Sequence, residues 1–200
     1  RTRAVVVRHE RLASILQIHV RARSAGDRYA PTMSADGGKS SSPTPQGNTR
    51  VTGKEQFYTP RDVADQVVSR VLDVVPDAVG RTWIEPAGGN GVFIDAAREV
   101  GVREIVSFDI EPRHPEVERG DFLAQELSVT SAVSIGNPPF GRNNALSIPF
   151  FNRAARYSDH IAFIVPRSWR KWSVSNRLDR HFHLIGDADL SIDYIDADGS

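Results

Sequence analysis

The chain predicts an α/β fold on a mostly parallel, doubly wound sheet with helices on both faces. Two observations carry this. Helix-like and strand-like patterns alternate from residue 59 to residue 165 at spacings that suit parallel crossovers. The strands also read as short apolar runs without polar alternation, as expected of strands covered on both faces. With 200 residues there is enough chain for one sizeable core.

Thr59-Pro60-Arg61-Asp62 reads as a helix start, with Thr59 as N-cap, Pro60 in the first turn and Asp62 at the capping-box position. Val63, Val67, Val68, Val71, Leu72 and Val75 then share one helical face, and Pro76 ends the helix. Thr82-Trp83-Ile84 is a short strand, Phe93 to Val100 a helix, and Glu104 to Ile110 the next strand. A weaker strand at 117–119 leads into Gly120-Asp121-Phe122-Leu123. Ser131 to Gly136 is a strand, Pro149 to Tyr157 a helix, and His160 to Val165 an apolar strand closed by Pro166. One further strand is evident at 181–186.

Residues 1–32 differ from the rest, with seven Arg, no Lys, and only Glu10 and Asp27 as acids. Met33 is the single methionine. The favoured expectation is that the natural product begins there, making 1–32 a non-native extension. A targeting segment and a small helix at 4–20 are the rivals. Residues 33–53, rich in Ser, Gly, Pro and Thr, read as disordered linker. The folded domain is expected over 54–200.

The chain has no cysteine, which removes disulfides and thiolate metal sites and fits a cytoplasmic setting. No apolar run reaches membrane-spanning length. Formal net charge is zero, so any nucleic-acid contact must use a local basic patch. No histidine has an acidic or histidine partner at metal-ligand spacing, so no metal is expected.

Asn137-Pro138-Pro139-Phe140 follows the strand at 131–136 directly. Two prolines cannot continue a ladder, so the strand must stop in a rigid loop. The amide, the free carbonyls and the aromatic ring suit a planar group with an exocyclic NH2. Glu85-Pro86-Ala87-Gly88-Gly89-Asn90-Gly91 joins a strand to a helix, where α/β sheets bind ligands. Gly89 and Gly91 allow close backbone approach. Ile94 breaks the GxGxxG dinucleotide pattern, and Glu85 suits a cofactor carrying an ammonium group. Asp109 ends a strand eighteen residues after Gly91 and can accept ribose hydroxyls, or be a solvated strand-end acid. Asp121 can accept from an adenine amino group with Phe122 against the ring, or simply form a turn. Phe57-Tyr58-Thr59-Pro60 precedes a helix whose N-terminus favours an anion. Arg167-Ser168-Trp169-Arg170-Lys171-Trp172 interleaves cations with tryptophans, as phosphates and stacked bases require, or is a solvated helix with its tryptophans on the core.

Over roughly residues 54–170 this ordered set resembles the S-adenosylmethionine-dependent, amino-group (N6-adenine) DNA methyltransferases. It is also similar to their small phage-type forms. The resemblance implies a Rossmann-like class I methyltransferase fold and S-adenosyl-L-methionine as cofactor. It implies cofactor contacts from Phe57, Tyr58, Thr59, Pro60, Glu85, Ala87, Gly89, Gly91, Asp109, Ile110, Asp121 and Phe122. Asn137, Pro138, Pro139 and Phe140 stand at the catalytic tetrapeptide. Arg142, Arg167, Trp169, Arg170 and Lys171 are the candidate nucleic-acid contacts. The implied reaction is methyl transfer to adenine N6 in DNA, the target base flipped out of the helix. Glu85 departs from the commoner Asp. The family's closing hairpin and target-recognition domain are not recognisable, so the expectation is a chain truncated at its C-terminus or one that relies on a separate recognition subunit. Methyltransferases of RNA adenine or protein glutamine, and a non-catalytic subunit, are the rival readings. A nicotinamide dehydrogenase is disfavoured.

Overall fold

The computed structural model describes residues 14–22, 57–192 and 195–196. The expectations for Met33 and for the linker at 33–53 lie outside the described residues.

Seven strands form one sheet in the order β5-β4-β3-β6-β7-β1-β8. In chain order these are β1 (Ser14–Arg21), β3 (Trp83–Glu85), β4 (Ile105–Asp109), β5 (Glu118–Arg119), β6 (Ala132–Gly136), β7 (Ser158–Pro166) and β8 (Phe182–Leu190). A separate antiparallel pair joins β2 (Phe57–Tyr58) to β9 (Ile195–Asp196). The helices are α1 (Arg61–Val74), α2 (Val92–Glu99), α3 (Ser147–Ala154) and the single turn α4 (Trp172–Ser175). The expected α/β class and the largely parallel sheet are present, and each strand expected between residues 82 and 186 is found within a few residues. None of these helices is long and apolar enough to cross a membrane.

β3 pairs in parallel with β4 on one side and β6 on the other, and β4–β5 and β6–β7 are parallel too. All five strands therefore end at the same edge of the sheet. That edge carries Glu85, Asp109, the turn after Arg119, Asn137 and the turn after Pro166. Two apolar layers cover the sheet. One joins Val63, Val67 and Val71 of α1 to Phe93 and Ala97 of α2, with Trp83, Val133 and Ile164 beneath. The other joins Ile148 and Phe151 of α3 to Phe122, Trp169, Val174 and Phe182.

The main correction concerns the N-terminal segment. Residues 14–21 are a strand, not part of a helix, and they belong to the sheet that was expected to start only after residue 53. β1 runs antiparallel to both β7 and β8, with Ser14 opposite Pro166 and Leu190. Its apolar residues alternate between the layers: Leu16 and Ile18 enter the first, Ile15 the second. The β-branched Ile15, Ile18 and Val20 suit a strand covered on both faces. Arg21 is also structural. It donates to the carbonyls of Ser158 and Ala155 and lies 4.9 Å from the Phe182 ring centroid. β1 thus supplies, from the N-terminal side, the antiparallel strand between β7 and β8.

Because Ile18 is 4% exposed, Ile18→Ala should cost about 2–5 kcal/mol in urea unfolding. A chain starting at Met33 should lose cooperative unfolding altogether. A Met33 start with unchanged stability would contradict the place of β1 in the sheet.

Candidate functional site

The strand order reverses between β3 and β6, because the chain winds outward through β4 and β5 and then returns to the other side of β3. Such a switch point leaves a crevice beyond the strand ends. Glu85, the last residue of β3, lies in it and is only 2% exposed. Burial pushes its carboxyl well above the usual value of 4.5, and the nearby Asp109 carboxylate pushes in the same direction. Its Oε2 has no hydrogen-bond partner, while the hydroxyl of Ser107, in register with it on β4, faces the carboxyl and partly offsets the rise. A Cβ on Gly136 would lie 3.5 Å from Glu85 Cγ, so the acid sits directly against the end of β6. Sequence reasoning overlooked Ser107. Its only signal was a small polar residue inside an apolar strand.

The loop after β3 is shaped by its glycines. Gly89 and Gly91 have φ of +48° and +78°, which disfavours other residues. Gly89 lies under Tyr58, whose ring would stand 3.2 Å from an added Cβ. Gly91 instead makes room for the His114 ring, since a Cβ would meet it at 2.2 Å. Gly91 is therefore required at least as much for packing as for ligand access. Ala87 is half-buried against the second layer.

Asp109 braces the same loop. Its two carboxylate oxygens accept from the backbone N–H of Gly89 and of Glu111, each at 2.8 Å. A carboxylate has about four acceptor positions, so each oxygen can accept once more. Ile110 beside it is 66% exposed. The Arg113 guanidinium also lies over Tyr58, 5.4 Å from the ring centroid. Asp121 is exposed and accepts from Leu123 N at 3.0 Å. Phe122 does not face a ligand. It is 1% exposed and packs between Phe108 and Phe150, because the 3₁₀ turn at Phe122–Ala124 directs it into the second layer.

The loop at Asn137 faces this crevice from the β6 side. Asn137 Nδ2 donates to Thr59 Oγ1 at 3.2 Å. Its Oδ1 is buried and has no partner. Pro138 is buried, Pro139 exposed and Phe140 half-buried. The Phe140 carbonyl accepts from Leu146 and Ser147 N–H, which ties the loop to the start of α3. Thr59 is not the cap that was expected. The residue at the cap of α1 is Pro60, without a side-chain cap bond, and the Thr59 hydroxyl is used by Asn137 instead. Phe57 lies in β2, which β9 holds in place.

No family model matches the chain. It is similar to the type II methyltransferase M.HincII of Haemophilus influenzae, with 30% identity over 95 residues. Identity to M.HindII of Haemophilus influenzae strain Rd is the same over a stretch of equal length. The match takes in 46% of this chain but only 18% of M.HincII, so the chain spans about a fifth of the length of these relatives. The fold is similar to that of a candidate RNA methyltransferase from Pyrococcus horikoshii, with a TM-score of 0.50 and 22% identity over 61% of this chain and 67% of the other. The chain has a Rossmann-like α/β fold.

The basic segment after β7 separates into two sets. Trp169 is 2% exposed and packs edge-on to Phe151, with Nε1 3.3 Å from Ser147 Oγ. It is a core residue, not a nucleic-acid contact. Arg167 pairs with Asp189 at 3.0 Å, and Arg170 pairs with both Asp187 and Asp189 of β8. These two arginines are neutralised within the fold. Arg142 and Lys171 are exposed and have no ion pair among the described residues.

Glu85 binds its proton more tightly in the folded domain than in the unfolded chain. Its folded pKa is raised, so stability is full below 4.5 and declines as pH rises above it. Glu85→Gln should therefore raise the ligand-free melting temperature at neutral pH. The gain should shrink toward about pH 4, where the unfolded carboxyl is also protonated. Thermal melts across that range check this, and a gap that widens in acid would contradict it.

Proposed function

We propose that this domain transfers a methyl group from S-adenosylmethionine to the exocyclic N6 of adenine in DNA. The observation that carries the reading is Asn137 Oδ1, an acceptor buried without a partner while the amide nitrogen is fixed by Thr59. A buried acceptor left open is costly unless something donates to it. An adenine amino group is such a donor.

The residues around the switch point fit the cofactor. Glu85 offers an unpartnered carboxylate oxygen for its ammonium group. Asp109 keeps acceptor capacity for ribose hydroxyls, and the exposed Ile110 offers apolar surface to the adenine ring. Asp121 can accept from that ring's amino group, whereas Phe122 has no part in it. The bound cofactor supplies an electrophilic methyl group on a sulfonium.

An aromatic amine is a weak nucleophile, because its lone pair is shared with the ring. Asn137 Oδ1 and the Pro138 carbonyl accept from the two N–H bonds of the target amine. They favour tetrahedral geometry at nitrogen and stabilise the positive charge that develops there. Phe140 stacks on the base and holds it in line, so that orientation lowers much of the barrier. No strong base is required, since the nitrogen becomes acidic as it is alkylated. The target must leave the duplex to reach this loop.

Asn137→Ala should lower turnover by at least ~10²-fold while leaving cofactor affinity nearly unchanged. Transfer of labelled methyl to DNA, RNA and protein extract in parallel, with cofactor titration calorimetry, measures both. Label in N6-methyladenine of DNA supports the reading. Label confined to RNA or protein replaces the substrate. Full activity in Asn137→Ala removes the mechanism. Transfer that appears only after a cell fraction is added assigns target recognition to a separate subunit.

A further inference from the structure

We propose that Trp172 is a base-stacking contact of this domain, with Lys171 and Arg142 holding the adjoining phosphates. The inference rests on the nucleic-acid reading above and adds to it a specific contact.

Trp172 is 76% exposed, whereas Trp83 and Trp169 are 0% and 2% exposed. A tryptophan buries a large apolar area when it finds a partner. Here it opens α4, the turn after the segment Arg167–Arg170, which itself starts at the end of β7. That is the sheet edge where β6 delivers Asn137.

The mount beneath Trp172 is rigid. Trp169 and Val174 both anchor the segment in the second layer. Arg167 and Arg170 fasten it to Asp187 and Asp189 of β8. Asn144 Nδ2 and Ser168 Oγ stand 3.1 Å apart, which joins this segment to the loop that follows Phe140. A large apolar ring is thus held out into water by a fixed frame tied to the candidate catalytic loop. Side chains with only a packing role turn inward here, as Trp169 does.

The flanking charge suits the same ligand. Lys171 precedes Trp172, and Arg142 lies on the loop joined to it through Asn144. Both are exposed and unpaired among the described residues, while the two neighbouring arginines are consumed by aspartates. Free cations beside an exposed indole make a stacking platform with phosphate contacts.

Because the other two tryptophans are buried, intrinsic fluorescence reports mainly on Trp172 when a base stacks on it. The test is titration of the full chain, with S-adenosylmethionine present, by an adenine-containing single-stranded DNA and by its duplex. Wild type should show quenching that saturates with binding. Trp172→Phe should remove the quenching but keep most of the affinity. Trp172→Ala should weaken binding by on the order of 10-fold or more at fixed salt, with cofactor affinity and melting temperature unchanged. Lys171→Ala and Arg142→Ala should each flatten the salt dependence of binding. Wild-type binding with equal affinity in Trp172→Ala overturns this proposal and leaves the nucleic-acid reading intact. Failure of wild type to bind DNA or the matching RNA overturns both.

Discussion

The reversal of strand order between β3 and β6 is the constraint on which the site depends. Parallel neighbours send their crossovers to opposite sides, so no connection covers the ends of these two strands. Everything functional in the proposal is delivered to that one gap. Glu85 ends β3, Asn137 follows β6, and Asp109 ends the strand next to Glu85. Because the strands are parallel, their carboxyl ends share an edge, and residues more than fifty positions apart in the chain become neighbours.

The gap also explains where the fold tolerates unfavourable chemistry. Glu85 Oε2 and Asn137 Oδ1 both lack hydrogen-bond partners, and both lie at or directly after the ends of strands at that edge. Buried polar atoms are normally satisfied. Toward the opposite end of these strands the Ser134 and Ser158 hydroxyls satisfy each other at 2.7 Å. Local rules tend to be broken where a site needs them broken. Rigid surroundings keep these groups from finding partners. Two prolines stiffen the Asn137 loop, Thr59 fixes its amide, and the start of α3 holds its far end.

Much of this was legible in the sequence because the relevant signals are local. Apolar runs ended by glycine, proline or an acid marked β3 through β7 and their edge. The helical face of Val63, Val67, Val68 and Val71 marked α1. What escaped is non-local. β1 carries a strand-compatible pattern, but only its pairing with β7 and β8, more than 130 residues away, makes it a strand. Phe122 and Trp169 looked like ligand contacts because aromatics beside polar residues suit both roles. Burial decided between them, and burial is set by α3, which packs over both. Arg167 and Arg170 looked like a phosphate patch because their acids, Asp187 and Asp189, lie on a different strand.

That last pairing bears on how a chain of zero net charge can present a basic surface at all. If every arginine at this edge were free, their mutual repulsion would splay the turn after β7. Asp187 is held below the usual carboxylate range, chiefly by its hydrogen bond from Arg170, so the pair stays charged across the neutral range. The paired arginines thus act as fasteners between β7 and β8, and the segment can then carry Trp172 and Lys171 outward without local repulsion. Charge that stabilises the frame and charge available to a ligand are carried by different residues of one short stretch. The alternation of Arg, Trp, Arg, Lys and Trp is, on this view, a division between inward and outward work that composition alone does not reveal.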